Sequence, residues 1–341
     1  MSLASRKEKI LTSILEEYIW TAQPVGSARV SKQGVKASPA TIRNEMAELE
    51  EMGFLEQPYT SAGRVPTHKA FRYYVDLIVD RLYPLEEDKS QLGSIYGEDI
   101  IGPEDLISRT AEVLSELSQQ IGVIMVIPTE RKTLRGLRIS KISGKRVQVT
   151  FDFISGSKEE KIIDDEWDLD SSSLARLNNM ISRLVHGKTL LSLRRELLRQ
   201  MEDTRAKADR IMANAVQMSA RLLEKERPEL YIRGQANLFD LPEFSEVSRI
   251  KEMIKALEEK AIVVELLEKA SIASGSRVII GEESDVSLLK TCALITSSYG
   301  RGEIPAGTLG VIGPMRMDYR RLIPLVRYTS ELISDNLSRT Q

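Results

Sequence analysis

Apolar positions in residues 5–22 recur with a helical period. Ile10, Leu11, Ile14, Leu15, Tyr18 and Ile19 form one stripe, with Lys7, Glu8, Glu16 and Glu17 off it. Pro24 and Gly26 end that helix. Ser27 is an N-cap type for a short second helix over 28–33, which Gly34 closes as a left-handed terminator. The third helix has the clearest start. Ser38 is a capping residue, and Pro39 stands at the first helical position, where its missing N–H costs nothing. Ile42, Met46 and Leu49 make its buried stripe, and Gly53 ends it. Residues 54–57 read as a short strand and 58–66 as a loop. Thr67 caps a fourth helix carrying Phe71, Tyr74, Val75, Ile78 and Leu82.

Residues 84–104 change character: an acidic, Pro- and Gly-punctuated stretch that reads as a linker. A helix over about 104–120 follows. The run 123–127 is apolar throughout, as in a strand covered on both faces, whereas 133–140 and 145–154 flank Gly144 as a hairpin. Residues 171–227 read as helical, 230–239 as a strand and 245–270 as two helices. Strand patterns return at 277–280, 293–298 and 308–312, and a helix over about 318–337 closes the chain. Pro324 falls inside that last helix. An interior proline costs ~3 kcal/mol or more, so a kink or a late start is expected there. Strand-rich segments thus bracket a helical block. An α+β domain interrupted by a helical insertion explains this order, and two successive domains are the alternative.

The chain has 341 residues, enough for two or three domains, and its 42% hydrophobic and 29% charged residues are ordinary for a globular protein. A formal net charge of −2 means that any nucleic-acid binding must use a local patch. One cysteine, Cys292, rules out an internal disulfide framework and fits a reducing compartment; within Thr291–Ile295 it reads as a small buried hydrophobe. With two histidines and one cysteine, no zinc-type ligand cluster is expected, and no cofactor. No stretch approaches ~20 apolar residues and no signal-peptide core opens the chain, so a cytoplasmic protein off the membrane is expected. Paired catalytic carboxylates, a GxSxG elbow and a phosphate loop are all missing, which argues against an enzyme.

Charge placement in residues 1–83 is more telling than its total of eleven Lys and Arg against ten Asp and Glu. Residues 18–44 hold Arg29, Lys32, Lys36 and Arg43 with no acid, and residues 57–75 hold Arg64, Lys69 and Arg72 with none. The acids gather instead at Glu45, Glu48, Glu50 and Glu51. Phosphates repel carboxylates, and affinity for DNA comes largely from Lys and Arg displacing counterions. Helices, strand, loop, return strand and helix come in the order of a winged helix-turn-helix, whose second motif helix presents its N-terminal part to base edges. Ser38, Ala40, Thr41, Arg43 and Asn44 occupy that part; Arg pairs with guanine, Asn with adenine, and the Thr methyl meets thymine. Thr60, Ser61, Gly63 and Arg64 would form the wing, with Arg64 reaching phosphate or minor groove. The alternative is that Arg43 and Asn44 are solvated helix residues, Arg64 a turn charge, and the module a protein-interaction domain. His68 reads as a local hydrogen-bonding group.

The segments Glu17-Tyr-Ile, Pro24-Val-Gly-Ser27, Ser38-Pro-Ala-Thr-Ile-Arg-Asn-Glu-Met46, Leu49-Glu-Glu-Met-Gly53 and Gln57-Pro-Tyr-Thr-Ser-Ala-Gly-Arg-Val-Pro-Thr67 resemble the HrcA family of bacterial heat-inducible transcription repressors. So does Leu309-Gly-Val-Ile-Gly-Pro-Met-Arg-Met-Asp-Tyr319. The resemblance implies a winged-helix DNA-binding domain over 1–83, a linker over 84–104, a GAF-like domain over 105–165 and 275–341, and a dimerising domain inserted at 166–274. It also implies a homodimer on an inverted-repeat operator of double-stranded DNA upstream of chaperone operons. The GroE chaperonin is the implied partner that keeps the repressor active until heat stress. A ligand-sensing regulator is the other expectation: Ser297-Ser-Tyr-Gly-Arg-Gly302 would offer Tyr299 and Arg301 to an anion, or else be a plain polar loop.

Overall fold

The computed structural model describes residues 3, 5–59, 62–79, 82–95, 103–127, 132–143, 145–154, 156–165, 170–190, 192–193, 196–197, 218, 229–271, 276–284, 286, 290–300 and 305–339. Helix and sheet are mixed, as an α+β chain requires.

The N-terminal body is built from α1 (Ser5–Thr21), α2 (Ser27–Lys32), α3 (Pro39–Glu51), the antiparallel pair β1 (Leu55–Glu56) and β2 (Val65–Pro66), and α4 (His68–Ile78). The apolar stripes meet as the periodicity demands: Ile10, Leu11 and Ile14 of α1, Ile42 and Leu49 of α3, and Phe71 of α4 are buried together. Gly34 has φ +87°, a backbone region costly for L side chains, and so turns the chain between α2 and α3. Thr67 stands at the N-cap of α4 but does not cap it with its side chain; its hydroxyl donates to the Gly53 carbonyl (2.8 Å) and ties the strand turn down instead.

A five-stranded antiparallel sheet follows, in the order β8-β3-β11-β10-β9. Its strands are β3 (Ile121–Val126), β8 (Glu229–Arg233), β9 (Ser276–Ile280), β10 (Cys292–Tyr299) and β11 (Gly307–Pro314). One face carries α6 (Pro103–Ser118) and the closing helix α10 (Tyr319–Arg339); the other carries α8 (Val247–Glu258) and α9 (Lys260–Ser271). Burial on both faces explains the continuous apolar runs: all eight residues of β11 are buried. Helix α10 runs through Pro324 without interruption, starting at Tyr319 rather than late.

A second, four-stranded sheet has the order β6-β5-β4-β7, from β4 (Thr133–Ser143), β5 (Arg146–Phe153), β6 (Lys158–Asp164) and β7 (Lys188–Thr189). Helix α7 (Ser171–Leu184) covers one face and shares its core with Phe151 and Phe153. Here β5 alternates buried and partly exposed residues, the signature of a sheet with one wet face.

Sheet membership cuts across the expected domain boundaries. The hairpin at 133–154, assigned to the interrupted domain over 105–165, belongs to the separate sheet. Conversely β8, α8 and α9, assigned to the insertion over 166–274, complete the five-stranded layer. Strand order along the chain does not reveal which sheet a strand joins; the one-faced burial of β5 does. Much of the helical block expected over 171–227 lies outside the described residues. Residues 84–104 hold a helix, α5 (Glu86–Ile95), where a linker was expected. Leu92 is fully buried, and Asp88, 1% exposed, pairs with Arg321 of α10 at 2.8 Å. Its acids are an anchor in part, not only a solvated run.

Cys292 is buried in β10, and burial pushes its thiol up to about 12, partly opposed by the Thr291 hydroxyl. A folded thiol that holds its proton more tightly binds more protons than the unfolded one between the two values. Its contribution to stability is therefore full below the ordinary thiol range and is lost as pH rises toward about 12. A thiol reagent at mildly alkaline pH is expected to leave the native chain unlabelled and to label it once in denaturant. Rapid native labelling would contradict this burial.

Candidate nucleic-acid interface

Helix α3 starts as its sequence demands. The Ser38 hydroxyl accepts the Thr41 backbone N–H at 3.1 Å and shares a hydrogen bond with the Thr41 hydroxyl at 2.9 Å. Ser38 is exposed, but its hydroxyl already serves as the cap. Ala40, Arg43 and Asn44 are exposed, Thr41 is half-buried, and Ile42 faces the core. Arg43 and Asn44 have no hydrogen bond or ion pair among the described residues, and the same holds for exposed Lys32 and partner-free Lys36 beside the helix start. None of these side chains is paired with a carboxylate among the described residues.

The acids of α3 lie in its far half, and three of the four, Glu45, Glu48 and Glu50, are ion-paired. Glu45 is buried between Arg6 (Nε at 2.9 Å) and Lys7 (3.6 Å), and Glu48 takes Lys7 at 2.7 Å. The far half of α3 is thus clamped to α1, which fixes how the near half projects.

The loop after β1 is placed by backbone contact. Val25 and Arg64 exchange two hydrogen bonds, Val25 N–H to Arg64 C=O and Arg64 N–H to Val25 C=O, both 2.9 Å. Gly63 permits this approach, since a Cβ there would lie 2.5 Å from the Val25 carbonyl carbon and oxygen. The Arg64 side chain turns back onto α3, with Nε 2.8 Å from Glu50 and only 19% of the side chain exposed. Thr60 and Ser61 lie outside the described residues. Of the other cations in the acid-free segments, Arg29 pairs with Glu17 and Lys69 donates to the Met52 carbonyl at 2.7 Å. The cations of these segments without a partner among the described residues are Lys32, Lys36 and Arg43.

Arg72 turns away from this surface. It pairs with Glu283 and donates to the Val278 carbonyl (2.6 Å), at the edge of the five-stranded sheet. Residues after β11 meet the N-terminal body as well. Arg316 donates to the Ile19 carbonyl at 3.0 Å and pairs with Glu243, while Arg320 pairs with Glu16. Tyr319 packs its ring 6.2 Å from Phe71, and burial pushes its phenol far above the ordinary tyrosine range. The two sequence motifs at opposite ends of the chain thus touch. Apart from Glu243, 73 positions from Arg316, the partners are backbone carbonyls and carboxylates more than 200 positions away, which no local pattern announces.

The loop considered for an anion does not offer its tyrosine. Tyr299 is 1% exposed and its hydroxyl donates inward to the Met125 carbonyl at 3.3 Å. Arg301 lies outside the described residues. Among the described residues no group of His, Cys, Asp and Glu could hold a metal ion, and no helix is long and apolar enough to cross a membrane.

Comparison with known proteins agrees along the whole chain. A crystal structure of a hypothetical protein superposes with a TM-score of 0.63 at 22% identity, over 100% of both chains, which speaks to the fold. The heat-inducible transcription repressor HrcA of Geobacter sulfurreducens is 36% identical over 335 residues, 97% of each chain. Its namesake from Syntrophobacter fumaroxidans is 33% identical, covering 98% of this chain and 97% of that one. The family model for the HrcA protein C-terminal domain matches residues 104–323. With relatives this similar at both ends and a domain match through the middle, the chain belongs to the HrcA family.

Proposed function

We propose that this chain is a heat-inducible transcription repressor that reads DNA with the first two turns of α3. The observation that carries the reading is the set of exposed side chains without partners among the described residues, Arg43 and Asn44 with Lys32 and Lys36, on a near-neutral protein. On this reading residues 1–83 are a winged helix: α2 and α3 are the helix-turn-helix, and Gly63 and Arg64 belong to the wing. Arg43 and Asn44 face base edges, Ala40 and the Thr41 methyl lie near thymine methyls, and Lys32 and Lys36 meet phosphate. Ser38 shapes the helix start, and Thr60 and Ser61 are assigned to the wing from the sequence alone. The five-stranded layer is the GAF-like domain. The excursion between β3 and β8 carries dimerisation, which matches two recognition helices to an inverted repeat spaced by whole turns, ~10–10.5 bp or multiples. Chaperonin dependence comes to this chain from the family resemblance alone.

Mobility shifts on the DNA upstream of the gene test the assignment. Arg43→Ala is expected to weaken binding by about 1–3 kcal/mol, the size of one bidentate base contact. Arg64→Ala should lose less, because its guanidinium is already held by Glu50. Affinity should also fall steeply with salt. Unchanged affinity in Arg43→Ala would remove α3 as the reading helix.

A further inference from the structure

We propose that the groove between α1, α5, α6 and α10 is a docking site for a partner protein's segment bearing a large apolar side chain flanked by Lys or Arg. The groove is open and holds about 880 Å³. Its apolar surface comes from Ile19 and Trp20 of α1, Leu85, and Leu117 of α6. Trp20 is 77% exposed and Leu85 52%, more than isolated surface hydrophobes need. A tryptophan at the edge of a concave apolar surface is a typical anchor for a binding partner.

Charge selects the occupant. Four carboxylates line the groove, Glu16, Glu87, Glu116 and Asp318, against Arg320 and Arg321. Both guanidinium groups are already neutralised, Arg320 by Glu16 and Arg321 by the buried Asp88. Glu87 and Glu116 are exposed and have no ion-pair partner among the described residues. The rim is therefore net negative, complementary to a basic segment and repellent to an acidic one or to DNA. The groove joins α1 of the N-terminal body to helices of the sheet body, so an occupant touches both at once. The inference does not depend on the DNA-reading assignment.

The test uses the full chain and two fluorescein-labelled amphipathic peptides, one of leucine and lysine, the other of leucine and glutamate. Fluorescence polarisation should show saturable binding of the first and none of the second. Trp20→Ala and the double variant Glu87→Lys/Glu116→Lys should each weaken it by about tenfold or more. All three positions are exposed, so the variants should keep the fold, which circular dichroism checks. Equal binding of both peptides, or full affinity in the double variant, overturns the proposal. If sedimentation shows that Trp20→Ala changes the chain's own association state, the groove is an interface between copies and the proposal is likewise overturned.

Discussion

Phe71→Ala is expected to cost about 3–5 kcal/mol of folding free energy, the range for truncating a buried phenylalanine. Phe71 is 1% exposed and lies between the rings of Tyr18 (6.4 Å) and Tyr319 (6.2 Å), at the seam of the N-terminal body and α10. One apolar cluster runs from α1, α3 and α4 through Leu92 of α5 to α10 and the inner face of the five-stranded sheet. The two bodies should consequently unfold together. Urea titration followed by circular dichroism should give one transition in the parent and an earlier single transition in the variant. A loss below about 1 kcal/mol, or a separate N-terminal transition in the parent, would mean that the seam is not a shared core.

Gly63→Val should damage operator binding more than Arg43→Ala does. The added Cβ falls 2.5 Å from the Val25 carbonyl group, and those atoms are backbone, so no rotamer relieves the clash. Overpacking of this kind costs ~1–3 kcal/mol, and a rigid neighbour puts it at the upper end. The paired hydrogen bonds between Val25 and Arg64 separate, and with them the hold of Arg64 on Glu50. Amide exchange should rise at Val25 and Arg64 while the sheet stays protected. Parental operator affinity in this variant would show that the loop position is irrelevant to binding.

The sequence was most legible where structure is local. The Ser38-Pro39 start of α3, the inward Ile42 and the turn at Gly34 follow from caps and backbone preference and occur as read. The distribution of acids around α3 was legible too, but its meaning was only half read. Glu45, Glu48 and Glu50 do keep to the far half of the helix, yet there they hold Arg6, Lys7 and Arg64. An unpaired arginine and a paired one look alike in one dimension, so Arg43 and Arg64 could not be ranked. Strand membership failed for a related reason. The alternation in β5 and the unbroken apolar run of β3 were both visible, but sequence proximity joined them where burial separates them. Strand β6, Lys-Glu-Glu-Lys-Ile-Ile-Asp, offers too little apolar contrast to announce itself. Helix α5 was missed because its anchor, Asp88 to Arg321, spans 233 positions.

Strands β3 and β8 are direct neighbours, with Val126 opposite Glu229, although residues 127–228 lie between them. The chain therefore leaves the sheet and re-enters it at one place, as at the tip of an ordinary hairpin. The entropy of closing such a loop rises only slowly with its length, so the sheet is nearly indifferent to what is hung there. The excursion is an exchangeable cassette. A short turn in its place should leave the layered sheet foldable, and a foreign module of other symmetry should be accepted at the same joint. What hangs at that joint can change without redrawing the surface of α3.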